Sequence, residues 1–131
     1  MMSPEARKIL IVDAEPDTVM LVESRLKANG YLVLTAGDGE AGLEMARKES
    51  PHLILLDFML PKIDGLKICS LLKSDPQYAG IPIILFTAKA QKKDIQLGSE
   101  AGVDAYLTKP VSPEILLKTI QKMLPQMGVQ K

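Results

Sequence analysis

A chain of 131 residues has the length of one domain and can bury roughly two-thirds of its unfolded surface in a single core. Its 47% hydrophobic and 24% charged residues exclude a disordered chain. One cysteine and one histidine exclude a disulfide framework, a multi-cysteine zinc site and most histidine chemistry, and sixteen basic against sixteen acidic residues give none of the basic excess of a nucleic-acid binder.

The chain alternates short apolar runs with longer amphipathic ones. Ile9 to Val12 is apolar and β-branched, the first predicted strand. Pro16 suits a first helical position and Asn29-Gly30 a stop, with Val19, Val22 and Leu26 on one face between them. Tyr31 to Ala36 reads as a second strand, and Gly39 to Glu49 as a second helix ended by Ser50-Pro51. Leu53 to Leu56 is a third strand. The third helix starts near Asp64-Gly65, ends before Asp75-Pro76 and turns Ile68, Cys69 and Leu72 inward. Ile83 to Phe86 is a fourth strand, with Pro82 at its entry where a missing N–H matters least. A weakly amphipathic helix with Gly98 inside it follows from about Asp94 to Ala101, then a short strand from Ala105 to Thr108. Ser112 as N-cap, Pro113 and Glu114 open a fifth helix that turns Leu116, Ile120, Met123 and Leu124 to one side. Five strands in strict alternation with five helices predict an α/β fold. Continuous apolar strands place a parallel sheet between helices on both faces. The expected domain spans residues 8–124, with tails at 1–7 and 125–131, the latter read as a frayed end or the start of a linker.

No apolar run approaches the ~20 residues of a membrane span, and Met1 to Lys8 carries no signal-peptide core. The expectation is a cytoplasmic protein without membrane contact or direct nucleic-acid contact.

In such sheets ligands bind outside the carboxyl ends of the strands. The first strand ends at Asp13, the third at Asp57, the fourth at Thr87, and the fifth is followed by Lys109-Pro110. Two carboxylates can hold Mg2+, a hard ion that prefers oxygen. A carboxylate beside such an ion can attack a phosphoryl group, and phosphoryl transfer needs positioning and neutralised oxygen charge above all. Lys109 and the Thr87 hydroxyl would add to that neutralisation.

Ile9 to Asp13, Leu55 to Pro61, Asp64-Gly65, Phe86-Thr87-Ala88 and Tyr106 to Pro110 together resemble the receiver domain of two-component response regulators, from about Lys8 to Leu124. The resemblance implies a flavodoxin-like, doubly wound sheet in strand order 2-1-3-4-5, as in chemotaxis-type receivers. It implies Asp57 as phosphoacceptor, Asp13, Asp57 and the backbone carbonyl of Met59 at Mg2+, and Lys109 on the phosphoryl oxygens with a cis bond to Pro110. Thr87 and Tyr106 become the switch pair that changes the surface of the fourth helix, fifth strand and fifth helix. The implied donor is a sensor histidine kinase or a phosphotransfer protein, and the implied target an output domain or partner protein. Only self-phosphorylation and self-dephosphorylation are expected, with no external turnover. A monomer or a phosphorylation-dependent dimer is implied. An arginine common in the fifth helix of winged-helix transcription-factor receivers is missing near Thr119.

One residue departs from the family. Two adjacent acids usually follow the first strand, and here Asp13 is followed by Ala14. A metal site weakened ~10–100-fold is expected, by analogy with the loss of outer-shell metal partners. Glu15, at the helix start, is read as pointing away. The alternative is a degenerate receiver that acts as a phosphorylation-independent interaction module.

Other signals are set aside. Gly37 to Gly42 spells G-x-G-x-x-G, but after the second strand rather than the first, and with no room for a substrate domain. An aspartyl phosphatase would need a second Asp where Met59 stands. Lys89, Lys92 and Lys93 read as a solvated helix start, His52 as a surface turn residue with no clustered chemical partner in the sequence, Cys69 as core filler, and Met20 and Met59 as partly exposed.

Overall fold

The computed structural model describes residues 6–124; the tail expected at residues 125–131 and the first five residues of the N-terminal one lie outside them. In chain order the elements are β1 (Lys8–Val12), α1 (Pro16–Ala28), β2 (Leu32–Ala36), α2 (Gly39–Glu49), β3 (Leu53–Leu56), α3 (Gly65–Lys73), β4 (Ile83–Thr87), α4 (Lys92–Ala101), β5 (Ala105–Thr108) and α5 (Pro113–Met123). The sheet is parallel throughout, in the order β2-β1-β3-β4-β5.

Period-two alternation sorts the strand side chains onto two faces. Leu10, Val12, Ile54, Leu56, Ile83 and Leu85 face a layer made by α2 and α3, through Leu43, Ala46, Ile68, Cys69 and Leu72. Ile9, Ile11, Leu53, Leu55, Ile84 and Phe86 face α1 and α5, through Val22, Leu26, Leu116 and Ile120. The central strands are buried on both faces, which is why they lack alternation in the sequence. The edge strands β2 and β5 stay partly open.

Strand β1 starts one residue earlier and β4 ends one residue later than the sequence reading, at Lys8 and Thr87, and two further boundaries differ for a local reason. Tyr31 belongs to the turn that ends α1: its N–H bonds to Leu26 O at 3.1 Å, behind Gly30 at φ 89°, and β2 starts one residue later. Helix α4 starts at Lys92 rather than Asp94, because the Asp94 carboxylate reaches back to accept the Gln91 N–H at 3.2 Å, while the Asp94 N–H bonds to Gln91 O. Gln is not a usual cap, so only the Asp at the third position was visible.

Glycine packing accounts for G-x-G-x-x-G. A Cβ on Gly39 would lie 1.7 Å from the Ile63 carbonyl oxygen, and one on Gly42 would lie 2.6 Å from a Val12 methyl. The Asp38 carboxylate accepts the Ala41 N–H at 2.8 Å, so the helix start already has an anion on it. The glycines allow α2 to close on the strand and loop beside it. Cys69 is fully buried and its thiol donates to Ala101 O at 3.3 Å. Burial pushes that thiol up to about 11, with Lys73 opposing and Asp104 adding to the shift.

His52 corrects the sequence reading. It is partly buried, and its Nδ1 accepts the Lys8 N–H at 2.9 Å. A turn histidine can serve an open strand end as a backbone partner, which residue spacing alone does not reveal.

Candidate functional site at the carboxyl edge of the sheet

Asp13 and Asp57 leave adjacent strands β1 and β3 side by side, since Val12 and Leu56 are in register. Both are buried, at 3% and 7% exposure. Each is oriented by the chain just beyond it: Asp13 Oδ1 accepts Glu15 N–H at 2.9 Å, and Asp57 Oδ1 accepts Met59 N–H at 3.0 Å. These are local turns that short acidic side chains favour. Their outer oxygens face one cation. Lys109 Nζ lies 2.6 Å from Asp13 Oδ2 and 3.0 Å from Asp57 Oδ2.

Lys109 follows β5, and the Lys109-Pro110 bond is cis, as expected. Its N–H bonds to Thr87 O at 2.8 Å, and its ammonium lies 5.4 Å from the centroid of the Phe86 ring. Burial lowers the Lys109 pKa as the largest single influence, but hydrogen bonds and charge from Asp13 and Asp57 outweigh it and raise it. The lysine is held as a cation by two carboxylates that would otherwise repel each other.

Thr87 is buried at 1% exposure. Its hydroxyl accepts the Lys89 N–H at 3.4 Å, while the Tyr106 hydroxyl donates to Lys89 O at 2.7 Å. The two residues therefore meet through the backbone of Lys89. Burial, then the charges of Asp94 and Asp57, raise the Tyr106 pKa and keep the hydroxyl a donor. Gly98 makes room for this ring: a Cβ there would lie 3.1 Å from Tyr106 and 3.0 Å from Leu85. The structure thus gives Gly98 a packing reason that periodicity does not show.

The lysine cluster breaks up in space. Lys92 and Lys93 are exposed at the start of α4. Lys89 instead folds back, with Nζ 5.0 Å from the Phe58 ring centroid and 3.7 Å from the buried Asp94. Met59, beside Asp57, turns its side chain outward at 61% exposure, and Met20 is exposed at 68%.

Glu15 requires a correction. It does not point away: its Oε1 lies 3.3 Å from Lys109 Nζ. It is the N-cap of α1 but makes no side-chain cap bond, so the carboxylate is free to turn to the edge. The turn at Asp13 carries it there, and apolar patterning carries no signal of that turn. One oxygen each of Asp13, Glu15 and Asp57 lies within 4.8 Å of the others. An all-oxygen, net-negative donor set of this kind fits Mg2+. Ala14 sits exposed at the crest of the same turn.

Comparison with known proteins agrees with this geometry. Residues 9–121 match the family model described as response regulator receiver domain. The alkaline phosphatase synthesis transcriptional regulatory protein PhoP of Bacillus subtilis is 44% identical over 118 residues, covering 90% of this chain and 48% of that one. The DNA-binding dual master transcriptional regulator RpaA of Synechocystis is 41% identical over 117 residues, 89% of this chain and 48% of that one. The chain spans about half the length of these curated relatives. Among solved structures, the chemotaxis protein CheY4 of Vibrio cholerae superposes with a TM-score of 0.86 at 32% identity, over 92% of this chain and 100% of that one. With its strand order, strand-end residues and matched length in agreement, the chain belongs to the response regulator receiver domains of two-component systems.

Proposed function

We propose that the chain accepts a phosphoryl group on Asp57 from the phosphohistidine of a sensor kinase or phosphotransfer protein, and that the acyl phosphate controls an output through α4, β5 and α5. The observation that carries this reading is the buried pair Asp13 and Asp57 closed over by Lys109 at 2.6 and 3.0 Å.

A carboxylate oxygen of Asp57 attacks phosphorus, the new O–P bond forms as the donor's P–N bond breaks, and the imidazole leaves with a proton from solvent. Lys109 then pairs with phosphoryl oxygen in place of the carboxylate oxygen it now holds. Thr87, one strand away, supplies a hydroxyl for a second oxygen. Asp13, Asp57 and the Met59 carbonyl would hold Mg2+, which would neutralise charge on the transferring group. Water attack on phosphorus breaks the O–P bond again and releases inorganic phosphate. No external substrate is turned over.

Movement of the Thr87 hydroxyl toward the phosphoryl group takes it off the Lys89 N–H, and the Lys89 carbonyl is where Tyr106 is tied. The backbone of Lys89, through the two peptide groups that flank its Cα, passes the change from the site to α4. The names of PhoP and RpaA describe transcriptional regulators, which makes a DNA-binding output in the same protein the favoured target, with the receiver itself not touching DNA. A cytoplasmic setting accords with a phosphohistidine donor, and among the described residues no helix is long and apolar enough to cross a membrane.

The test is intact mass after incubation with a small-molecule phosphodonor, with and without Mg2+, beside Asp57→Asn. One phosphoryl group gained only with Mg2+ and only on the native sequence is expected. No gain at high Mg2+ would overturn the reading and leave the interaction module that Ala14 favours.

A further inference from the structure

We propose that Glu15 supplies the carboxylate that Ala14 cannot, so that it joins Asp13, Asp57 and the Met59 carbonyl at the divalent-cation site of this chain. The inference rests on the phosphoacceptor reading for the identity of the cation.

The backbone prepares it. Asp13 accepts the N–H of Glu15 at 2.9 Å, which turns the chain back over the strand end and leaves the Ala14 methyl exposed at the crest. Position 15 is one residue further along than the usual second acid, and Glu is one methylene longer than Asp. The longer side chain makes up for the more distant origin. Its Oε1 sits 3.3 Å from Lys109 Nζ, with the Thr18 hydroxyl donating to it at 3.3 Å. Oxygens of all three acids lie within 4.8 Å of one another.

Charge points the same way. Three carboxylates around one ammonium leave two negative charges, the complement of a divalent ion. With Glu15 removed, one would remain. The other reading of the same contact is an exposed ion pair, since the Glu15 side chain is 67% exposed, and such pairs contribute little. Metal affinity separates the two readings through Glu15→Asp, which keeps the charge and shortens the reach, so that only a carboxylate that must touch the ion loses affinity.

The experiment titrates the unphosphorylated chain with MgCl2 by calorimetry, for the native sequence, Glu15→Gln, Glu15→Asp, and Glu15→Gln combined with Ala14→Asp. Melting curves in chelator confirm that each variant is folded. Glu15→Gln is expected to weaken Mg2+ about 10-fold, a size typical of lost partners at metal sites. Glu15→Asp should lose a similar amount through shorter reach, and Ala14→Asp should restore binding to the Glu15→Gln chain. Native-like affinity in Glu15→Gln, with the native chain binding Mg2+ and gaining phosphate, would overturn the role of Glu15 alone. A folded native chain that binds no Mg2+ would overturn both this role and the cation of the phosphoacceptor reading.

Discussion

Buried charge holds the ends of β1 and β3, whereas hydroxyls and a space-making glycine hold the ends of β4 and β5. On the first side, Asp13 and Asp57 are kept together by the Lys109 ammonium. On the second, Thr87 and Tyr106 hold the N–H and the carbonyl of Lys89, on either side of its Cα, and the Tyr106 ring lies in the gap at Gly98. The first side answers to a change of charge, because its carboxylates are balanced against one cation. The second answers to small displacements, because its contacts are few: a long bond at Thr87, a short one at Tyr106 and a closely fitted ring. Lys109 belongs to both, reaching the acids from the end of β5 with its own N–H on Thr87 O.

The largest effect should come from removing the shared cation. Lys109→Met leaves two buried carboxylates facing each other, at a cost of about 3 kcal/mol. Urea unfolding in chelator measures it, and added Mg2+ should recover part of the loss. A variant as stable as the native chain would show that charge does not hold the first side together.

On the second side, Gly98→Ala sets better helix propensity against contacts of 3.0 and 3.1 Å with Leu85 and Tyr106. Overpacking outweighs propensity here, because one neighbour is a ring tied down by its hydroxyl, and a net loss of about 1–2 kcal/mol is expected. Tyr106 ring resonances should shift in the same variant. Unchanged ring shifts would show that the gap has slack.

Tyr106→Phe removes the bond to Lys89 O and should cost about 1 kcal/mol. Faster amide exchange confined to the β4–α4 connection and α4 is expected, with β1 and β3 unaffected. Exchange that quickens equally on both sides would dissolve the contrast between them.

The smallest effect concerns Cys69, under the far end of α4. Its pKa is raised by burial from 9.0 to about 11, so the folded state keeps a proton that the unfolded state gives up. The thiol therefore leaves stability unchanged below pH 9 and lowers it as pH rises from 9 toward 11. Alkylation at pH 8 should run about 100-fold slower in the native chain than in urea. If Tyr106→Phe loosens α4, that rate should rise.

The sequence displayed one of these sides better than the other. Asp13, Asp57, Thr87 and Lys109 were legible because apolar runs mark where buried strands stop, and the next residue falls on the ligand edge whatever the loops do. Strand order is not encoded in those runs and came from resemblance to a family. Glu15 was misjudged because its direction depends on a two-residue turn set by the Asp13 carboxylate, a contact invisible to periodicity. The roles of Lys89 and Gly98 are a backbone N–H and carbonyl and an absence of side chain, and neither leaves a mark in patterning. His52 was missed for a similar reason, since its partner is a backbone N–H on a strand forty-four positions away.

The most direct test of the account asks whether charge added at the first side reaches the second. The chain would be phosphorylated with a small-molecule donor in Mg2+, the mass gain verified, and amide spectra recorded before and after. Shifts are expected at Lys89, at Tyr106 and along α4, and absent in Asp57→Asn under the same treatment. A fully phosphorylated chain whose Lys89 and α4 amides stay where they were would contradict the account, since the two sides would then share a lysine and nothing more.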